Sequence, residues 1–310
     1  MGAILVMGGT AFVSSSIAKY LIKKGYEVDI LTRGNKRVNF DGFREHIICD
    51  RKSSESMQEA LKNREYEFVF DISAYTREDV DIILKSINRK RIKKYIFCSS
   101  GAVYKPSNIA TSESFEKGEN PNWGNYGTDK KEAEDSIINS GIPYVIFRPT
   151  YIYGENNNLY REIYFFDRIK NNKAIPIPYG NDTKTQFIHI DDLVQIFESA
   201  MYNPNSCKIY NVTNPELVSW EELVKTCGAV MEKEPIIKNV DTNEIKLEVR
   251  SYFPFRDVTY ILKIDELIKD GLYLPNISLK EGLGRSYKWY REETPNTIYD
   301  LKMDKVDELI

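Results

Sequence analysis

The 310-residue chain holds only two histidines and four cysteines. Cys49, Cys98, Cys207 and Cys227 lie far apart without CxxC spacing, and no HExxH-type pair occurs, so no metal site is expected. Three of the cysteines sit in or beside strand-like apolar runs and read as buried free thiols rather than disulfides, which suggests a reducing cytoplasm. An excess of positive charge is also missing. With 43 basic and 46 acidic residues interspersed, the net charge of -3 gives no footprint for nucleic acid or an anionic membrane. No apolar run is long enough to span a bilayer, and the N-terminal one lacks a basic flank and is broken by Gly8-Gly9, unlike a secretion signal. The expected partner is a small molecule, with no nucleic acid and no membrane.

What the sequence does have is alternation. Strand-like runs fall at Ala3–Val6, Glu27–Leu31, His46–Cys49, Glu67–Ile72, Lys94–Cys98 and Tyr144–Phe147. Helical patterns follow the first to about Lys24, then lie near Ser56–Lys62, Glu78–Ile87 and Thr128–Asn139. Strands alternating with helices make parallel βαβ units, whose central strands are buried on both faces. The expected fold is α/β, a doubly wound, Rossmann-like parallel sheet over residues 1–150. After Arg148-Pro149 the pattern turns irregular, with GENNN (Gly154–Asn158) and PIPYGND (Pro176–Asp182). A smaller α+β C-terminal substrate domain is expected at 151–173 and 203–310, with helices near Trp220–Met231, Ile264–Lys269 and Leu279–Glu292. Residues 174–202, with a helix at Asp191–Met201, are expected to return to the sheet domain.

The stretch MGGTAFVSSS (Met7–Ser16) follows the first strand and enters a helix. A strand, a glycine turn and a helix bring a pyrophosphate onto a helix N-terminus, where free N–H groups and the helix dipole favour negative charge. Gly8 closes the turn, but Ala11 stands where a second glycine is expected and Ser14 where a third is. Both are small. The stretch alone leaves two readings open, a phosphate cradle or a structural β-turn-α connection.

Tyr-x-x-x-Lys occurs twice. Tyr20…Lys24 lies in the first helix with no polar partner nearby in sequence and reads as a helix face, whereas Tyr126…Lys130 follows a loop and opens a helix. The i,i+4 spacing puts phenol and ammonium on one face, and Ser100 can join them from the end of the strand Lys94–Cys98. A phenol titrates near ~10, so accepting a proton near neutrality requires a drop of about 3 units, roughly 4 kcal/mol of phenolate stabilisation. A lysine cation supplies attraction of the right sign.

GGTAFVSSSIAKYL, CDR (Cys49–Arg51), FDISAYTREDV (Phe70–Val80), FCSSGAVY (Phe97–Tyr104), YGTDK (Tyr126–Lys130), FRPTYIYG (Phe147–Gly154), FIHIDDLV (Phe187–Val194) and YNVTNPELVSWEELV (Tyr210–Val224) follow one another as in the extended short-chain dehydrogenase/reductase family. The chain resembles that family, which includes nucleotide-sugar epimerases and dehydratases, over nearly its whole length. Its GGT-x-F opening resembles the atypical branch. Ser14 departs even from that.

The resemblance implies a site in which Tyr126 is the acid/base, Lys130 lowers its pKa and binds the nicotinamide ribose, and Ser100 orients the substrate. It places the cofactor against Gly8, Thr10, Ala11, Phe12, Val13, Asp50, Arg51, Ser73, Ala74, Lys130 and Pro149. At the end of the second strand, where an acidic residue would bind ribose hydroxyls, stand Thr32 and Arg33 with Lys36 and Arg37 nearby. Arg33 suits NADP, with NAD as the alternative if it only covers the adenine. On the substrate side the resemblance points to Tyr151, Asn156, Asn157, Gln186, Arg250 and Arg256, an arginine being suited to a diphosphate. His189 reads as a fold-supporting residue. Glu113 reads as a solvated loop residue or an acid near the substrate.

Family dehydratases carry an Asp-Glu pair after the catalytic Ser/Thr, and here Gly101 and Ala102 stand instead. Dehydration is therefore disfavoured. The expected function is an NAD(P)-dependent epimerase or oxidoreductase acting on a sugar or nucleotide sugar, as a homodimer if the family habit holds. The alternatives are an NADPH-dependent carbonyl reductase on a non-sugar substrate and a non-catalytic nucleotide- or RNA-binding module.

Overall fold

Ile4–Met7 (β1) is buried at every position, as a strand covered on both faces must be. In the computed structural model, which describes residues 2–180, 182–242, 247–293, 303, 306 and 307, it sits near the middle of a seven-stranded parallel sheet. The other strands are Val28–Thr32 (β2), Glu45–Ile48 (β3), Phe68–Asp71 (β4), Lys94–Cys98 (β5), Tyr144–Pro149 (β6) and, past three short strands, Lys208–Val212 (β10). Their spatial order is β10-β6-β5-β4-β1-β2-β3. The chain leaves β1 in one direction and returns past it, so the order reverses between β1 and β4. Such a reversal opens a crevice at the carboxyl ends of the strands.

Five helices cover the sheet. Phe12–Lys23 (α1) and Ile190–Tyr202 (α6) pack on one face, through Ile17, Leu21, Leu193 and Phe197. Ser54–Leu61 (α2), Arg77–Ser86 (α3) and Asn125–Asn139 (α4) cover the other through Met57, Val80, Ile83 and Ile137. The start of α3 is fixed by a capping box in which the Thr76 hydroxyl accepts from the Asp79 N–H and the Asp79 carboxylate accepts from the Thr76 N–H. The doubly wound α/β sheet is thus the observed fold.

A third core lies in the C-terminal lobe. It joins Glu162–Lys170 (α5), Trp220–Val230 (α7) and Leu279–Glu293 (α9) with two parallel ribbons, Tyr151–Tyr153 (β7) with Phe187–His189 (β9) and Ile175–Tyr179 (β8) with Ile237–Asp241 (β11), while Asp265–Lys269 (α8) packs through Leu267 into the sheet core beside α6. Its centre is aromatic, with the rings of Trp220 and Phe255 stacked at 5.4 Å. Two strands fall on the other side of the expected division. β8 pairs in the lobe, within the stretch from about 174 to 202 expected in the sheet domain, and β10 pairs with β6, within the 203–310 expected in the lobe. β8 reads IPIPY, broken by two prolines, and β10 reads KIYNV, broken by Asn211, so neither announces its sheet by an apolar run.

Of the thiols, Cys49, Cys98 and Cys227 are free and buried, while Cys207 is free and exposed at a left-handed φ of 57°. Among the described residues no helix is long and apolar enough to cross a membrane.

Candidate active site

The turn after β1 is left-handed twice, with Gly8 at φ 119° and Gly9 at φ 136°. A Cβ on Gly8 would stand 2.7 Å from the Ser14 side chain. Ser14 does more than stay small. Its hydroxyl accepts from the Gly9 N–H at 2.9 Å and donates to the Ala11 carbonyl at 2.9 Å, so it ties the turn to the first turn of α1. Ala11, the N-cap of α1, offers no capping side chain, which leaves the first-turn N–H groups of Phe12, Val13 and Ser14 for an anion. This turn fits a dinucleotide's pyrophosphate.

Ala11, Phe12 and Val13 line a cleft of about 460 Å³ at the carboxyl ends of the strands, together with Ser73, Ser100, Tyr126, Lys130, Pro149, Tyr151, Asn157 and Arg256. Arg33 and Asp50 line a second hollow, of about 600 Å³, at the ends of β2 and β3. The two lie along one edge of the sheet, as the halves of an extended dinucleotide require. The Thr32 hydroxyl is 2.7 Å from His46 Nε2 and accepts from the Gly34 N–H, so it is already engaged.

Ser100, Tyr126 and Lys130 come from two elements. Ser100 follows β5 and caps a short helical turn, Gly101–Val103, by accepting from the Ala102 N–H. Tyr126 opens α4, whose N-cap Gly124 adopts φ 54°. Behind them Glu134 fixes α4 to the sheet, accepting from the Ser99 hydroxyl at 2.6 Å and twice from Arg148, a fully buried ion pair.

Lys130 is 3% exposed, and its Nζ donates to the carbonyls of Ala74 and Cys98, each at 2.7 Å. Burial pulls its pKa down. The expectation that Lys130 lowers the Tyr126 pKa is not met by this arrangement. Although Tyr126 is 38% exposed, desolvation by the cleft wall pushes its phenol up to about 12, against an opposing hydrogen bond from Ser100 and the charge of Arg161. A proton is therefore held on the phenol near neutrality.

Arg51, expected at the cofactor, is buried beneath the site. It grips Asp71 with two hydrogen bonds of 2.9 and 3.0 Å and donates to the Ser73 hydroxyl at 2.6 Å. Burial alone would raise the Asp71 pKa, but the Arg51 guanidinium and the Tyr95 hydroxyl hold its carboxyl below the usual range. Asp71 in turn accepts from the Ser73 and Ala74 N–H groups. Arg51 thus shapes the loop whose Ala74 carbonyl receives Lys130.

The substrate-side residues divide. Tyr151 and Arg256 face the cleft. Asn157, although it borders the cleft, has its amide committed to the Glu162 carboxylate and the Leu159 N–H. Asn156 is exposed at φ 65° in the preceding turn, and Asn158 borders the cleft instead. Gln186 accepts from the Leu262 N–H at 2.8 Å, and Arg250 donates to the Pro254 carbonyl. Glu113 is half-buried and does not line the cleft; its carboxylate accepts from the Asn211 N–H of β10 at 2.8 Å. His189 is fully buried, 3.1 Å from Glu155.

Among the lining residues that the sequence reading did not single out are Tyr75, Trp123, Arg161 and Tyr260. The Tyr260 hydroxyl donates to the Pro149 carbonyl at 3.1 Å, and a Cβ on Gly101 would lie 2.5 Å from that same oxygen. The bare glycine at the position after Ser100 is what admits Tyr260.

The model of the NAD dependent epimerase/dehydratase family matches residues 4–213. Among curated relatives, the chloroplast stem-loop binding protein of 41 kDa b of Arabidopsis thaliana is 29% identical, over 97% of this chain and 84% of its own length. A putative UDP-glucose 4-epimerase of Methanocaldococcus jannaschii is 28% identical over 93% of this chain and 98% of its own. Among solved structures, the Thermus thermophilus UDP-glucose 4-epimerase complex with NAD superposes with a TM-score of 0.76 at 18% identity, covering 94% of this chain and 99% of that one.

Proposed function

Because the chain belongs to the NAD dependent epimerase/dehydratase family, we propose that it is an NAD(P)-dependent epimerase acting on a sugar hydroxyl of a nucleotide sugar, with Ser100, Tyr126 and Lys130 as its working residues. The observation that carries this reading is the convergence of Ser100 and Tyr126 in one cleft with the uncapped start of α1. The full-length likeness to the Methanocaldococcus relative supports the substrate class.

The turn Gly8–Val13 holds the pyrophosphate, and Lys130, with two backbone carbonyls already bound, presents its remaining donor to the ribose. A nicotinamide bound here supplies hydride transfer and, when oxidised, a positive charge that favours the phenolate. Tyr126 holds the proton of the reacting hydroxyl, and Ser100 orients that oxygen. Gly101 and Ala102 provide no acid and base for eliminating water, which favours epimerisation over dehydration. Arg33 at the end of β2 supports NADP over NAD.

Replacing Tyr126 by Phe is expected to lower turnover by about a thousandfold or more while cofactor affinity stays within about twofold. Retained turnover would sink the assignment. Nucleotide released on denaturation separates the cofactor readings, bound NAD arguing against the reading of Arg33. The Arabidopsis relative favours a second reading, RNA binding, which retention of a stem-loop RNA at physiological salt would support.

A further inference from the structure

Lys130 carries an ammonium to a buried position, and no carboxylate meets it there. Among the described residues no acidic side chain lies within ion-pair distance of its Nζ, which is bound only to the Ala74 and Cys98 carbonyls. The acidic groups that act on it are Asp71 at the end of β4 and Glu134, one turn further along α4. Each is already gripped by an arginine of its own, Arg51 and Arg148. The other titratable neighbours give no counter-charge: Arg51 repels the ammonium, the Cys98 thiol of β5 is pushed up by burial, and Tyr126, one turn back on α4, keeps its proton. A buried charge left in this way is costly unless something else holds it.

What adjoins the nitrogen instead is aromatic. Nζ lies 4.8 Å from the ring centroid of Phe97 and 5.1 Å from that of Tyr75. The face of a ring carries partial negative charge and attracts a cation within about 6 Å, the more so where water is excluded. Phe97 belongs to the core of the sheet, whereas Tyr75 is 57% exposed and lines the cleft. Its place is set by the start of α3, where its N–H donates to the Asp79 carboxylate at 2.8 Å. Ala74 and Tyr75 thus hold one ammonium, the first by its carbonyl and the second by its ring. The Tyr75 ring also lies 6.0 Å from the Tyr126 ring, centroid to centroid, so this contact is made at the reacting end of the cleft.

We propose that Tyr75 is a positioning residue, whose ring completes a cage around Lys130 and keeps the buried ammonium charged for the ribose of the bound cofactor. The inference rests on the cofactor reading of the site. Only the ring face takes part, so phenylalanine serves in its place and leucine, of similar size, does not.

The test is a pH titration, followed by NMR, of the cofactor-free full chain carrying 13Cε-labelled lysine, in the parent, Tyr75→Phe and Tyr75→Leu. The Lys130 signal is the one lost in Lys130→Arg. Its midpoint is expected about one pH unit below the parent's in Tyr75→Leu and within about 0.3 unit of it in Tyr75→Phe. An unmoved midpoint in Tyr75→Leu would overturn the proposal, and so would an equal fall in Tyr75→Phe, which would assign the effect to the hydroxyl.

Fluorescence titration with NADPH from about pH 6 to about pH 10 reads the consequence. The pH at which affinity is lost is expected to move down by about one unit in Tyr75→Leu and to stay in place in Tyr75→Phe. A loss of the same size at every pH would make Tyr75 a stacking surface for the nicotinamide and overturn its action through Lys130. A parent that binds neither NADPH nor NADH would overturn the cofactor reading, while the NMR midpoints still judge the ring by itself.

Discussion

Gly127 approaches the carbonyl oxygen of Ala102 so closely that a Cβ on it would stand under 3 Å from that oxygen. The first turn of α4 is thereby pressed against the turn that follows Ser100, which is what brings Tyr126 within reach of the serine. Gly127→Ala is expected to push the helix outward. Overpacking of this kind costs about 1–3 kcal/mol, and a displacement of about 1 Å lowers turnover up to ~100-fold. Steady-state kinetics together with a denaturant midpoint checks both effects. Unchanged turnover would show that the helix start is not held by this contact.

Asp71 is fully buried between Arg51, Tyr95 and the N–H groups of Ser73 and Ala74. Asp71→Asn takes from the buried Arg51 charge the carboxylate it grips and leaves it only Asp79 at 3.8 Å, a loss of up to about 3–5 kcal/mol. Cofactor affinity is expected to fall as well, because the loop that receives Lys130 loses its anchor. Replacing the pair together, Arg51→Met with Asp71→Leu, is expected to recover much of the stability and little of the affinity, as chemical denaturation and cofactor titration would show.

Ser14 tests whether the turn after β1 needs its internal brace. Ser14→Ala strands the buried Gly9 N–H, a loss of about 1–3 kcal/mol. Dinucleotide affinity is expected to drop by about tenfold as the first turn of α1 loosens. Fluorescence titration with the reduced cofactor measures it directly.

Glu155 supplies a pH dependence. Burial opposes its charge, but the His189 ring 3.1 Å away and the Arg285 guanidinium, which donates to it at 3.0 Å, prevail and hold its carboxyl down to about 2, from an ordinary 4.5. A depressed carboxyl stabilises the fold above its unfolded pKa and loses that contribution as pH falls through its folded value. Glu155→Gln is therefore expected to melt several degrees below the parent at pH 7, with the gap narrowing from about pH 4.5 toward pH 2. A gap independent of pH would show that packing, not charge, is lost.

How much of this was legible in the sequence differs from residue to residue. β1, β4 and β5 were readable because a strand buried on both faces has to be apolar without a break. β8 and α5 were not, since two prolines interrupt the one and aromatic and charged residues crowd the other. Tyr126 and Lys130 share a helix face by spacing alone, yet the two carbonyls that occupy Lys130 come from the ends of β4 and β5. Spacing said nothing about them.

By itself the sequence determined the alternating sheet, the glycine turn and the tyrosine-lysine pair, because each depends on residues within a few positions of one another. The tertiary structure alone decided that Arg51 is a brace, that Ser14 ties the turn, and that Tyr260 fills the space above Gly101. It also decided that Arg161 and Arg256, 95 positions apart in the chain, line one cleft. Those relationships arise where the strand order reverses and the C-terminal lobe folds back over the crevice, and sequence periodicity carries no record of which distant segments meet there.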